Sequence, residues 1–477
     1  MHLCFVFGER PANVPVVGTF ATHADFGGAT SGATIRCRMT QDSKRLEALD
    51  KAHVWHPFTW QTEWERRTPL IIEAAEGCEL IDVEGRRYLD GIGSLWVSVH
   101  GHRHPHIDDA LKAQLGRVAH TTLLGQASRP SIELAAKLAA ITPEGLTRTF
   151  YSDSGSTAVE IALKMTFQWQ QQQGHRSRSR FAALREAYHG DTIGSVSVGG
   201  IDLFHEVYRP LLFDALHLDC PTFREDEAAL SARAVAAIRA EGDKLAGLVV
   251  EPLVQGAAGM RMHSPGFLRP ILEAAREVGA LVIIDEVATG FGRTGTLFAT
   301  EQLDFAPDFL CIGKGLTNGY LPLAATVTTE AVYEGFKAER GHTFFHGHTF
   351  TGNQLACVAA LASLELFDRE RTLERVHSHT EQIRGRLTDL QARFPEVHQI
   401  RQTGLMTGIE LRQPDGTPYN PNSRIGDQVC MEIRKHGAVL RPLGDVVVMM
   451  PPPAMSEGQL DRLFAALTNA MRIVLHS

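Results

Sequence analysis

Residues 281–314 read LVIIDEVATGFGRTGTLFATEQLDFAPDFLCIGK. The run Leu281–Ile284 is unbroken and apolar, and it ends on the acidic pair Asp285–Glu286. A short run of this kind, followed by turn-forming residues, is a strand buried on both faces of a parallel sheet. A second run, DFLCIG, ends on Lys314, 29 residues after Asp285. Ligands of open α/β sheets sit beyond the carboxyl ends of the strands. The segment therefore sets a carboxylate and an amine at two neighbouring strand ends. Two readings fit. One is a structural salt bridge, which often does little more than offset its own desolvation. The other is a pyridoxal phosphate site, where the lysine forms a Schiff base and the carboxylate keeps a proton on the pyridine nitrogen.

The flanking sequence repeats the strand-then-helix pattern. RTFYSDSGSTAVEIALKMTFQW, from Arg148, is a strand, a turn and a helix beginning near Thr157. Small residues before a helix make an anion site, because free N–H groups and the helix dipole point outward. Gly155 and Ser156 are the candidates to hold a phosphate. FAALREAYHGD ends a strand near Tyr188, whose ring suits stacking on a planar cofactor. AGLVVEPLVQG ends a strand at Glu251–Pro252. The alternation from about 145 to 330 predicts a doubly wound, mostly parallel sheet with right-handed crossovers. Further on, Gly347, His348 and Thr349 precede a long helix of small residues and form a second phosphate-type turn.

The two ends of the chain differ from this middle. Residues 1–42 are rich in Gly, Ala, Thr and Pro and lack both helical periodicity and signal-peptide character, so a disordered leader or an over-long start is expected. A helix is expected from Ser43. Residues 70–91 alternate as strands around a hairpin at Glu84–Gly85. Residues 43–105 and 365–477 are expected to form a smaller α+β domain, and 106–364 the large domain. In the tail, IRQTGLMTGIEL reads as a strand, and Arg441 as the end of a strand before Pro442, suited to a bidentate grip on a carboxylate.

Composition excludes several classes. The net charge of −8 gives no basic surface for nucleic acid. No apolar run approaches the length of a membrane span. The seven cysteines are scattered without a CxxC pair, as in a reducing, cytoplasmic setting. His100, His102, His104 and His106 alternate in one loop, but no Cys or carboxylate stands at ligand spacing, so no metal is expected.

DEVATGFGRTG followed by GKG at this spacing resembles the signature of the class III, fold-type I, pyridoxal-phosphate-dependent aminotransferases. The resemblance covers nearly all of the chain after about residue 43. It implies Lys314 as the Schiff-base lysine and Asp285 as the pyridinium partner. It implies Gly155, Ser156, His348 and Thr349 as the phosphate cradle, the last two reaching the cofactor of a second subunit in a homodimer. It implies Tyr188, Trp96, Gly347 and Arg441 as substrate contacts, with Phe58 lining an apolar channel and Arg293 shaping the donor site. WHPFT, YHGDTIGSVSVG and RPLGDVVVMMPPP are similar to the branch serving biotin synthesis, which aminates 8-amino-7-oxononanoate. S-adenosylmethionine is the donor implied first. Phe58 and Leu95, which replace a tyrosine and a tryptophan of that branch, look more like a related branch that uses lysine. The alternatives are another class III ω-aminotransferase, acting on ornithine, 4-aminobutyrate or a diamine, and a non-catalytic scaffold, which would be expected to lack Lys314 or Asp285.

Overall fold

The computed structural model describes residues 32–201, 206–222 and 226–476, with side chains from residue 41. Residues 1–31, to which most of the expected leader belongs, lie outside the described residues. The chain divides into two compact units, 1–71 and 72–477. In the first, the helix Gly32–His53 begins ahead of the expected Ser43, and a short helix Gln61–Arg66 follows. Asp50 ties the two together by accepting from Trp64 Nε1 at 2.8 Å and from the His56 ring at 2.9 Å.

The second unit is built on a seven-stranded sheet. Its spatial order is Leu146–Ser152, Ala324–Thr329, Phe309–Ile312, Leu281–Asp285, Leu245–Val250, Arg180–Leu184, Ala215–Leu218. Only Ala324–Thr329 runs against the others. Both faces are covered, which is why these strands read as continuous apolar runs. Leu281 and Ile283 pack with Ala158, Val159 and Ile161 of the helix Gly155–Gln172. Val282 and Ile284 pack with Phe267, Leu268 and Ile271 of the helix Pro265–Glu277 on the opposite face. The fold is the α/β fold type I, with a smaller α+β part from both ends of the second unit. There Ala438–Val439 pairs with Arg87–Asp90 to close a four-stranded sheet.

Three expectations change in detail. The helix after the SDSGS turn begins at Gly155, not Thr157, because Ser154 is its cap: the Ser154 hydroxyl accepts the Thr157 N–H, and Thr157 Oγ1 accepts the Ser154 N–H. IRQTGLMTGIEL is not one strand. Gly404, at φ 57, turns it into the antiparallel pair Val397–Thr403 and Met406–Leu411. Arg441 opens the strand Arg441–Leu443, where its register partner is Val448, rather than ending one. The helix of small residues starts at Gln354, capped by Asn353. Gly347–Thr349 lie in the turn ahead of it, as expected.

Candidate active site

Each strand end contributes a functional side chain or backbone group. Ser154–Ser156 follow the strand Leu146–Ser152, Tyr188–Thr192 follow Arg180–Leu184, and Glu251 follows Leu245–Val250. Asp285 ends its own strand, and Lys314 comes just after Phe309–Ile312. These residues, with Trp96, Ala257, Val287 and Ala288, line one cavity of about 490 Å³. It lies where ligands of open α/β sheets bind.

The carboxylate and the amine do not pair with each other. Asp285 is buried; its Oδ2 lies 2.8 Å from His189 Nδ1, and its Oδ1 accepts the Val287 N–H at 3.0 Å. The Lys314 amine makes no hydrogen bond or ion pair among the described residues and lies over the Trp96 indole, 4.6 Å from the ring centroid. That geometry excludes the structural salt bridge and leaves both groups facing the cavity. Burial lowers the Lys314 amine to about 8, with Asp285 and Glu251 opposing the shift and Arg293 adding to it. Burial also raises the Glu251 carboxyl to about 7, against the pull of His189 and of the N–H groups of Tyr188 and Gly256. Those two N–H groups each donate to the Glu251 carboxylate at 3.1 Å.

The first turn of the helix Gly155–Gln172 also lines the cavity. The N–H groups of Gly155 and Ser156 have no acceptor among the described residues, as expected at an uncovered helix start. The Ser156 hydroxyl is already used: it accepts the Thr192 N–H at 3.0 Å and meets Thr192 Oγ1 at 2.9 Å. Gly190 lies so close that a Cβ there would stand 2.2 Å from Ser156 Oγ. Tyr188 donates its hydroxyl to Asp191 at 2.7 Å. A planar, anionic cofactor fits the chemistry of this lining: free N–H donors for an anion, the buried Asp285–His189 pair for a ring nitrogen and an unpaired amine for a carbonyl. His189 Nε2 is itself buried without a partner among the described residues.

The structure thus brings together Lys314, Asp285, Gly155, Ser156, Tyr188 and Trp96. It does not bring in the other expected residues. Gly347 and His348 line a second cavity of about 400 Å³ with Thr122, Leu124 and Tyr151, and Thr349 stands beside them in the same turn. Arg293 is wholly buried and donates to the carbonyls of Ser98 and Pro451, at 2.6 and 3.2 Å. Arg441 is half-buried, lies outside the cavity lining and makes no ion pair among the described residues. Phe58 belongs to the first unit, where it is exposed. His189 and Glu251 stood at strand ends in the sequence, but no role was assigned to them. The four alternating histidines take separate partners: His102 meets Asp90, His104 meets Glu370, His106 meets Glu365, and His100 is buried edge-on to Phe367.

Residues 60–471 match the family model described as aminotransferase class-III. The chain belongs to the class III aminotransferases. It is 52% identical over 442 residues to the adenosylmethionine-8-amino-7-oxononanoate aminotransferase of Nitratidesulfovibrio vulgaris, covering 90% of this chain and 81% of that one. It is 44% identical to the protein of the same name from Geobacter sulfurreducens, covering 91% and 98%. The crystal structure of adenosylmethionine-8-amino-7-oxononanoate aminotransferase from Methanocaldococcus jannaschii is similar at a TM-score of 0.87 and 40% identity, over 91% of this chain and 99% of that one. An (S)-enantioselective omega-transaminase from Thermomicrobium roseum is similar at 0.86 and 33%, over 91% and 99%. Membership of this family makes the chain a transaminase, with the pyridoxal-phosphate-dependent chemistry of that family. Among the described residues no helix is long and apolar enough to cross a membrane.

Proposed function

We propose that this class III aminotransferase moves an amino group from S-adenosylmethionine to 8-amino-7-oxononanoate, giving 7,8-diaminononanoate. The observation that carries the site assignment is the unpaired Lys314 amine facing the same cavity as the His189-bound Asp285. The relatives at 44–52% identity, which carry that reaction in their names, support the substrates. The omega-transaminase-like alternative has only neighbours of about one-third identity among those named here.

Pyridoxal phosphate, bound in this cavity, supplies the carbonyl that takes up an amine and the ring that accepts the electrons left when a substrate proton departs. The N–H groups of Gly155 and Ser156 would hold its phosphate, aided by the helix dipole. Asp285 would keep a proton on the ring nitrogen, and His189 fixes the orientation of that carboxylate. The Lys314 amine would take the proton from the donor carbon and deliver it to the carbon that carried the cofactor's carbonyl, and would move it the opposite way for the oxo acid. Its lowered basicity suits that work near neutral pH. Tyr188 and Trp96, which line the cavity, would shield the ring from water. Arg441 binds the carboxylate of the oxo acid. Two substrates using one site in turn give ping-pong kinetics.

The working form is a cytoplasmic homodimer in which Gly347, His348 and Thr349 serve the site of a second copy. Exposed Leu124, Phe345 and Phe350 near that turn support the reading, since apolar surface of this kind is normally covered. Sedimentation should give the mass of two chains; a monomer retaining full activity would contradict it. The substrate assignment is tested by Arg441→Ala. It should raise KM for the oxo acid on the order of a hundredfold, the loss of a charge-assisted pair, and leave KM for the donor little changed. Equal effects on both would remove Arg441 from the acceptor site.

A further inference from the structure

We propose that Asp90 is a positioning residue: its carboxylate holds the left-handed turn Gly93–Trp96 that sets the Trp96 indole against the Lys314 amine. This rests on Lys314 being the reacting amine. Asp90 ends the strand Arg87–Asp90 and is completely buried. Its Oδ1 accepts the Ser94 N–H at 2.9 Å. Its Oδ2 accepts the Ser94 hydroxyl at 2.7 Å and meets His102 Nε2 at 2.9 Å.

The turn needs such support. Gly93, Ser94, Leu95 and Trp96 have φ of 53, 47, 65 and 73°. Three successive residues with side chains in this region are unfavourable, because each Cβ crowds the following carbonyl. Such strain persists only where the surroundings over-determine it. Gly93 must stay bare, since a Cβ there would stand 3.2 Å from the Ser98 carbonyl oxygen and 3.4 Å from the Arg293 guanidinium. The Trp96 N–H closes the turn onto the Ile92 carbonyl at 2.8 Å.

The far side of the same loop is tied to the lysine's own turn. Asn318 follows Lys314 by four residues. Its side-chain oxygen accepts the N–H groups of Val99 and His100 at 2.6 and 2.8 Å, and its amide donates to the Gly101 carbonyl at 2.8 Å. With that side fixed, the Asp90 carboxylate settles the rest. The indole is then held between Lys314 and Gly256, where a Cβ would meet the ring at 3.2 Å. Leu95, the residue just before Trp96 in the turn, is exposed. The turn thus sorts one aromatic side chain into the site. Relaxing it would withdraw the indole and admit water to the amine.

The test uses the full-length chain loaded with pyridoxal phosphate. Ser94→Ala removes one donor to Asp90, and Asp90→Asn replaces the charged acceptor. Each should lower kcat/KM for the amino donor on the order of tenfold, the cost of a misplaced catalytic neighbour. Each should also increase acrylamide quenching of tryptophan fluorescence. Both changes should vanish when the same substitutions are made in a Trp96→Phe background, because they act through the indole. Unchanged kinetics and quenching, or equal losses in the Trp96→Phe background, would overturn the proposal. If Asp90→Asn does not fold, Ser94→Ala and its Trp96→Phe combination decide. Lys314→Ala belongs in the same series. Activity surviving it would overturn the proposed function, whereas lost activity with additive Ser94 and Trp96 effects would overturn only the positioning role.

Discussion

Lys314 stands at φ 43°, a backbone region few residues with side chains adopt, directly after a buried strand. Its amine has an indole face and no charged partner, so burial sets its behaviour. Only the unprotonated amine condenses with an aldehyde. With the amine lowered to about 8, the protonated form dominates below that pH. The rate of cofactor uptake by the cofactor-free chain should therefore rise about tenfold per pH unit below 8 and level off above it. Stopped-flow absorbance across pH 6–10 (roughly the window of the shift) checks this; a rise continuing to the ordinary lysine range would mean that the amine is solvated. Asp285 is read through His189. Asp285→Asn keeps the shape but loses the charge opposite the ring nitrogen, so turnover should fall by about 3 kcal/mol, on the order of a hundredfold. Near-normal turnover would remove Asp285 from the chemistry. Both residues were legible in the sequence because each ends an apolar run. Their independence was not. Whether Asp285 meets Lys314 or His189 depends on how the strand Arg180–Leu184 is placed in the sheet, and nothing local to residues 281–314 records that.

The helix Gly155–Gln172 and the loop Tyr188–Thr192 form one wall of the site, and their contact is tight. Ser156 and Thr192 bond directly, while Thr192 Oγ1 and the Ser195 N–H also donate to Glu160. Gly190 has φ 119° and no room for a methyl group against Ser156. Gly190→Ala should push the loop off the helix start. The expected results are a loss of about 1–3 kcal/mol of stability and weaker cofactor binding, read by thermal unfolding with and without pyridoxal phosphate. An unchanged cofactor-induced shift in Tm would show that the helix start does not need this contact. The helix and its polar turn were readable from SDSGS before an amphipathic run. The start at Gly155 was not, since the Ser154–Thr157 capping box and a start at Thr157 fit the same residues. The hairpin Val397–Leu411 was missed for a similar reason: Gly404 alone marks a reversal inside an otherwise continuous strand-like run. The turn Gly347–Thr349 precedes its helix as expected, with Asn353, four residues beyond Thr349, as the cap.

At the scale of the whole molecule, the mostly parallel sheet was readable because strands covered on both faces have no polar alternation. Strand order was not. Ala324–Thr329 lies between Leu146–Ser152 and Phe309–Ile312, far from the first of these in sequence. This order brings strand ends from residues 152 to 314 around one cavity, which is the site proposed for the transaminase chemistry of the class III family. The donor is the remaining choice, because Phe58 and Leu95 resemble the lysine-using branch while the relatives are named for adenosylmethionine. The most direct measurement is single-turnover absorbance of the pyridoxal phosphate form. S-adenosylmethionine and L-lysine are offered separately, and 8-amino-7-oxononanoate is then added. The account predicts that S-adenosylmethionine alone converts the cofactor to its amino form and that the oxo acid restores the starting spectrum. Conversion by lysine alone would contradict the donor; no restoration by the oxo acid would contradict the reaction itself.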